Sequence, residues 1–256
     1  MQAQSDLKKA LFTAVEESTE DNVPVGVAFS GGVDSSLLAK ICKEIGLEVM
    51  LLTVGFPKSH DIEFSKVVAS KMALSHKLYE LNDVQFNEDL EFVRKKISCR
   101  NISHIENCVA YLNIARFARQ NDLYLVLTAN GCDELFCGYN MYRLIYEQGE
   151  TNLKKLMEQK IANELELVKE VQMTISGICI NIKQPFLTQK FITFANRIPI
   201  GQKIHGPDDF VRKHILRTVA LSLGVPVDSA MKPKKAIQYG SMIHKKFTGV
   251  SRFHIL

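Results

Sequence analysis

No apolar run in the sequence reaches 18 residues, so no segment has the length to cross a bilayer as a helix. The opening stretch, residues 1–18, lacks an apolar signal core and carries acidic residues, which argues against export and for a cytoplasmic location. Internal repeats, low-complexity tracts and linker-like stretches are also missing, and no Cys-x-x-Cys pair occurs. The six cysteines, at 42, 99, 108, 132, 137 and 179, therefore read as reduced thiols rather than as a disulfide framework. What is present is ordinary for a folded chain. Hydrophobic residues make up 46% and charged residues 23% of 256, which excludes a disordered or fibrous protein. A chain of this length buries roughly 70% or more of its unfolded surface and needs no covalent staple.

Charge is uneven. The segment 201–256 holds ten Lys and Arg against Asp208, Asp209 and Asp228, a local excess of +7 in a chain whose net charge is +4. Such an end is either a solvated face or a site for polyphosphate or nucleic acid, and charge alone does not choose between them.

Residues 6–19 have helical spacing (Leu7, Ala10, Leu11, Ala14, Val15). Residues 24–29 form a short apolar run with β-branched members, as expected of a strand covered on both faces. A helix opens at 37–41. Strands are predicted at 48–54, 76–81 and 123–128, with helices at 61–73, 86–97 and 107–120. Alternating strands and helices imply a doubly wound parallel α/β sheet, with ligands beyond the carboxyl ends of the strands. From Tyr139 onward the pattern is mainly helical. The expected division is an N-terminal helix at 1–20, an α/β core at 21–138 and a helical part at 139–256 that covers the active-site edge.

The sharpest local feature is Ser30-Gly31-Gly32-Val33-Asp34-Ser35 between a strand and a helix. Paired glycines let backbone amides approach an anion, and the helix start adds its positive end. Asp34 suits an anion site only if a divalent cation joins it, which points to Mg²⁺ bound to phosphates. No Gly-Lys-Ser/Thr follows, so this is not a Walker A loop. The stretch resembles the SGGxDS loop of the N-type ATP pyrophosphatases. Within that superfamily, whose fold is the adenine nucleotide alpha hydrolase-like sheet, the chain is similar to the synthetase domain of asparagine synthetases and of β-lactam synthetase. Further segments carry the likeness: Val54–Asp61, Leu127–Tyr139 with Asp133-Glu134 at its centre, Gln184-Pro185-Phe186-Leu187-Thr188, and Lys232-Pro233-Lys234-Lys235-Ala236.

The resemblance implies an ATP-dependent ligase that adenylates a carboxylate, releases pyrophosphate and lets ammonia or another amine displace AMP. It places Ser30, Gly31, Gly32 and Ser35 on the β- and γ-phosphates, and Asp34 and Asp133 on Mg²⁺. Val54, Thr128, Ala129 and Gly131 fall beside the nucleoside. Lys234 is the implied catalytic cation, with Lys235 as the alternative one position on.

Several positions depart from the family pattern. Asn130 stands at a catalytic position where the family has a carboxylate, and an amide cannot take up a proton. Asn181, Lys183 and Thr188 replace Glu, Arg and Asp, and Cys137 replaces glycine. Residue 2 is Gln2 where a glutaminase domain would begin with cysteine, so the expected ammonia source is the free molecule or a separate glutaminase partner. Aspartate is one carboxylate the family suggests. Homo-oligomer formation stays open. Two other readings stand beside the synthetase: an ATP-binding subunit without catalysis, and a tRNA-modifying, sulfur-transferring enzyme with cysteines around its ATP site. No RNA-binding accessory domain is visible, which counts against nucleic acid as a partner. His60, His76 and His104 show no metal spacing, and Phe86, Phe92 and Phe117 fit helical core faces.

Overall fold

The computed structural model describes residues 2–19, 23–233 and 236–253. Its sheet is built from β1 (Val25–Ala28), β2 (Val49–Gly55), β3 (Ser75–Glu80), β4 (Leu125–Leu127) and β5 (Asn181–Lys183). All are parallel, in the order β3-β2-β1-β4-β5. The apolar runs read from the sequence are strands because both faces of each are covered. Val25, Val27, Leu51, Leu125 and Leu127 enter one core, whereas Leu52, Val54, Val126 and Ile182 enter a second on the opposite face.

The helices divide accordingly. The first core takes side chains from α1 (Gln2–Glu16), α2 (Val33–Glu44), α3 (His60–Met72), α9 (Gln189–Asn196) and α10 (His214–Ser222). The second takes them from α4 (Asp83–Lys96), α5 (Ile102–Gln120), α8 (Glu150–Ile175) and α13 (Ile243–Phe253). Short helices α6 (Cys132–Leu135), α7 (Asn140–Leu144), α11 (Val227–Ala230) and α12 (Ile237–Gly240) lie along the connections. The sheet is doubly wound, as expected.

The expected helical part after 139 contains one element that its pattern does not announce. β5 is three residues long, too short to display a period, and pairs with β4 only because the chain returns to the sheet edge after the 26-residue α8. Tyr239 and Gly240 end α12, with Ser241 as its C-cap. Among the cysteines, 42, 108, 132 and 137 are buried and Cys99 is half-buried, but Cys179 is exposed. Phe86 and Phe117 lie in the second core, with Phe92 packed against it.

His76 on β3 packs edge-on against Phe29, and its Nε2 lies 2.9 Å from the Thr53 hydroxyl, which itself donates to the Phe29 carbonyl. The ring must therefore donate from Nε2. Burial, assisted by Lys66, lowers its pKa to about 4. An unfolded histidine takes up its proton near pH 6.5, so between those values the unfolded chain binds more protons and stability falls as the pH drops. The urea midpoint is expected to fall from pH 6.5 to about 4, by less in His76→Gln. Equal losses in the two proteins would show that His76 is not responsible.

Candidate functional site

The carboxyl ends of β1, β2 and β4 open into a cleft of about 260 Å³ lined by Ser30, Asp34, Ser35, Val54, Thr128, Ala129, Asn130 and Asp133, among others. One end of it is the turn from β1 into α2, the stretch expected to hold phosphates. Gly31 has φ +76, and a Cβ there would stand 2.9 Å from the Phe64 ring, so this position needs glycine both for conformation and for space. Ser30 and Ser35 brace the turn: the Gly32 amide donates to Ser30 Oγ at 3.3 Å, and Ser35 Oγ donates to the Gly32 carbonyl at 3.2 Å. Gly32 caps the 12-residue α2 with no side-chain bond. The first-turn amides are thus left for a ligand, the arrangement that favours an anion.

Asp34 on α2 and Asp133 on α6 come from different strand ends and meet through a residue that sequence reasoning missed. Lys213 Nζ lies 2.5 Å from Asp34 Oδ2 and 2.6 Å from Asp133 Oδ1, with the lysine side chain 1% exposed. Burial opposes its charge, but Asp133 and Asp34 outweigh that and hold its pKa above the ordinary lysine value. Arg212 and Lys213 both have left-handed backbone, φ +53 and +54, just before α10. Non-glycine residues adopt this conformation at a cost, which the Arg212 Nε bond to the Gly138 carbonyl (3.1 Å) and the buried ion pairs offset. No motif marked Lys213 in the sequence; the available signal was its place in the basic excess, beside an apolar helix start.

The same excess has a second structural use. Arg217 is 3% exposed and donates to the carbonyls of Val211, Arg212, Ala230 and Lys232, which ties the chain before Pro233 to the Lys213 loop. Lys232 lies over the Phe64 ring, and Pro233 borders the turn at Ser30–Ser35. The chain re-enters the cleft wall at Ala236, Ile237 and Gln238. Lys234 and Lys235, the expected catalytic cations, lie outside the described residues.

At the other end of the cleft, the amide at 130 is held in one orientation. Tyr111 and Thr128 hydroxyls both donate to Asn130 Oδ1 at 2.6 Å, so Nδ2 faces and donates to Glu164 on α8. Burial, with Glu164 nearby, raises the Tyr111 phenol and keeps it a donor. A carboxylate, that of Glu164, does stand beside position 130, brought there only by the fold. Glu134, Tyr139, Lys160 and Asn163 complete this wall. Gly131 is at the turn into α6, with its φ of +98.

The remaining departures have structural accounts. Thr188 caps α9, accepting from the Phe191 amide. Asn181 and Lys183 sit on β5, and neither lines the cleft. Cys137 has φ +59, a conformation that explains the usual glycine there. Cys132 and Cys137 are fully buried in different core clusters. Among the described residues, the buried Asp34 Oδ1 has no hydrogen-bond partner. A hard oxygen so placed, opposite a second carboxylate and next to open amides, fits Mg²⁺.

The profile of a family described as asparagine synthase matches residues 6–178. The chain is 30% identical to a putative glutamine-hydrolysing asparagine synthetase of Methanocaldococcus jannaschii, over 95% of this chain and 51% of that protein. It is 26% identical to asparagine synthetase B of Escherichia coli, over 92% and 45%. It thus spans about half the length of these relatives. Among solved structures, NMN synthetase from Francisella tularensis superposes with a TM-score of 0.50 at 14% identity, covering 92% of this chain and 77% of that one. That likeness concerns the fold.

Proposed function

The chain belongs to the asparagine synthase family, and from that premise we propose that it is an ATP-dependent, AMP- and pyrophosphate-forming amide synthetase. One observation carries the reading: open α2 amides stand beside two carboxylates, Asp34 and Asp133, joined by the buried Lys213 at the carboxyl edge of the sheet. Ser30, Gly31, Gly32 and Ser35 receive the β- and γ-phosphates; Val54, Thr128, Ala129 and Gly131 border the nucleoside. Mg²⁺, held by Asp34 and Asp133, would neutralise the pyrophosphate as it departs. Lys213 fixes both carboxylates and adds a positive charge where negative charge accumulates. Lys234, or Lys235, serves the α-phosphate. The protein performs little covalent chemistry, so positioning and charge stabilisation supply the rate.

The substrate carboxylate enters from the Asn130 end and attacks the α-phosphorus; an amine then displaces AMP. Lys160 is the cation that borders this end, with Nζ 5.3 Å from the Tyr139 ring, and it is our assignment for anchoring an acidic substrate. Glu164, oriented by the Asn130 amide, faces the incoming amine and is placed to take a proton from it. Aspartate with ammonia is the first pair to try, with ammonia supplied free or by a separate glutaminase.

The test is pyrophosphate release from ATP and Mg²⁺ with carboxylates offered one at a time in the presence of ammonia. A carboxylate-stimulated release, reduced about a thousandfold or more in Asp133→Asn, is expected. Binding of ATP without pyrophosphate release, for every carboxylate and amine tried, would replace the synthetase with a non-catalytic ATP-binding subunit.

A further inference from the structure

Beside the cleft, three side chains that are scattered in the sequence converge. Cys99 lies in the loop between α4 and α5, His104 in the first turn of α5, and Glu170 near the end of α8. His104 Nδ1 is 3.8 Å from Cys99 Sγ and 2.6 Å from Glu170 Oε2, and one donor atom from each residue falls within 4.8 Å of the others. His104 is 4% exposed and presents the same atom, Nδ1, to both of the others. We propose that Cys99, His104 and Glu170 bind a zinc-type divalent cation.

The donor set carries the assignment. Thiolate, imidazole and carboxylate are the zinc ligands, and the two softer donors disfavour Mg²⁺ and Ca²⁺. Bond lengths of about 2.0–2.3 Å in a tetrahedron separate ligand atoms by roughly 3.3–3.7 Å. The cysteine–histidine separation is close to that value. The histidine–glutamate contact is shorter, as a shared proton makes it, and Glu170 is the more exposed partner of that pair and has room to draw back. The Asn101 amide already donates to Cys99 Sγ at 3.2 Å, which fixes the sulfur. Three protein ligands leave one vertex for solvent.

A second group offers a contrast. His205, Asp209 and His214 also lie within 4.8 Å of one another. Their two imidazole rings, however, are stacked at 3.6 Å with planes 2° apart, so the in-plane lone pairs run parallel and do not meet at a metal. His104 was read from the sequence as an ordinary histidine. The third donor, Glu170, lies 66 residues away, beyond the reach of any local metal-ligand spacing.

The site would tie the α4–α5 loop and the start of α5 to α8, the helix that carries Asn163 and Glu164. His104 itself lines the cleft beside Ser103 and Asn107. The proposal needs no assumption about the reaction, and its test does not use activity. The full chain, stripped with a chelator, is titrated with Co²⁺ and followed by absorption. One equivalent is expected to give a thiolate-to-cobalt charge-transfer band with the visible bands of tetrahedral cobalt, all removed by Zn²⁺. Cys99→Ser should lose the charge-transfer band, and His104→Gln should bind about a hundredfold more weakly, since even outer partners of a site cost up to that much. Cys179→Ser and Asp34→Asn should keep the spectrum, and Zn²⁺ should raise the Tm of these two and of wild type but not of Cys99→Ser. A wild type without the band, a band that survives in Cys99→Ser, or one lost in Asp34→Asn would overturn the proposal.

Discussion

Lys213→Met is expected to cost about 3–5 kcal/mol in magnesium-free buffer, because it leaves two largely buried carboxylates facing each other without a cation. Lys213 is 1% exposed at its side chain, and Asp34 and Asp133 are 21% and 12% exposed, so water screens this trio poorly. For a chain of 256 residues the loss corresponds to a fall in Tm of roughly 10 °C. Two further measurements separate charge from packing. Millimolar Mg²⁺ should restore much of the variant's stability, since the carboxylates then share a different cation, whereas wild type without ATP should respond little. Neutralising the carboxylates as well, by Asp34→Asn and Asp133→Asn in the same chain, should cost less than Lys213→Met alone. A variant as stable as wild type in chelator would remove Lys213 from its assigned place.

Gly138→Ala is expected to be comparably severe for a steric reason. A Cβ at 138 would stand 1.9 Å from Asp133 Oδ1 and 2.4 Å from Lys213 Cε. Neither can yield cheaply: Lys213 is held by both carboxylates, and the 138 carbonyl accepts from Arg212. Overpacking of this kind costs about 3 kcal/mol where neighbours cannot move. Here it also shifts Asp133, so ATP-dependent pyrophosphate release should fall with stability. Protein that melts as wild type and releases pyrophosphate normally would mean that Asp133 has another position in solution.

The two predictions fall on residues of different legibility. Asp133 and Gly138 belong to the contiguous stretch 127–139, where local order alone exposes a motif. Lys213 lies some 75 residues beyond Gly138, and its functional setting is a left-handed pair at the start of α10 that carries no local signature. Glu164 was equally hidden. On a long helix with many charged residues, nothing separates the one glutamate that reaches Asn130 from those facing solvent. The stretch 181–188 departs from the family pattern at Asn181, Lys183 and Thr188. In the structure it is a short edge strand followed by a helix cap, so those changes fall outside the cleft wall.

The sequence by itself determined the sheet's first four strands, its parallel sense and the phosphate-side turn. Each rests on short-range causes: apolar runs that must be covered on both faces, and glycines that permit a close approach of backbone to anion. The tertiary structure alone decided which charges meet. A buried lysine between two aspartates, a glutamate behind an asparagine, and a cysteine, histidine and glutamate about one point all join residues far apart in the chain. Their partners are chosen by the packing of α5, α8 and α10 against the sheet, and that packing has no period that a sequence can display.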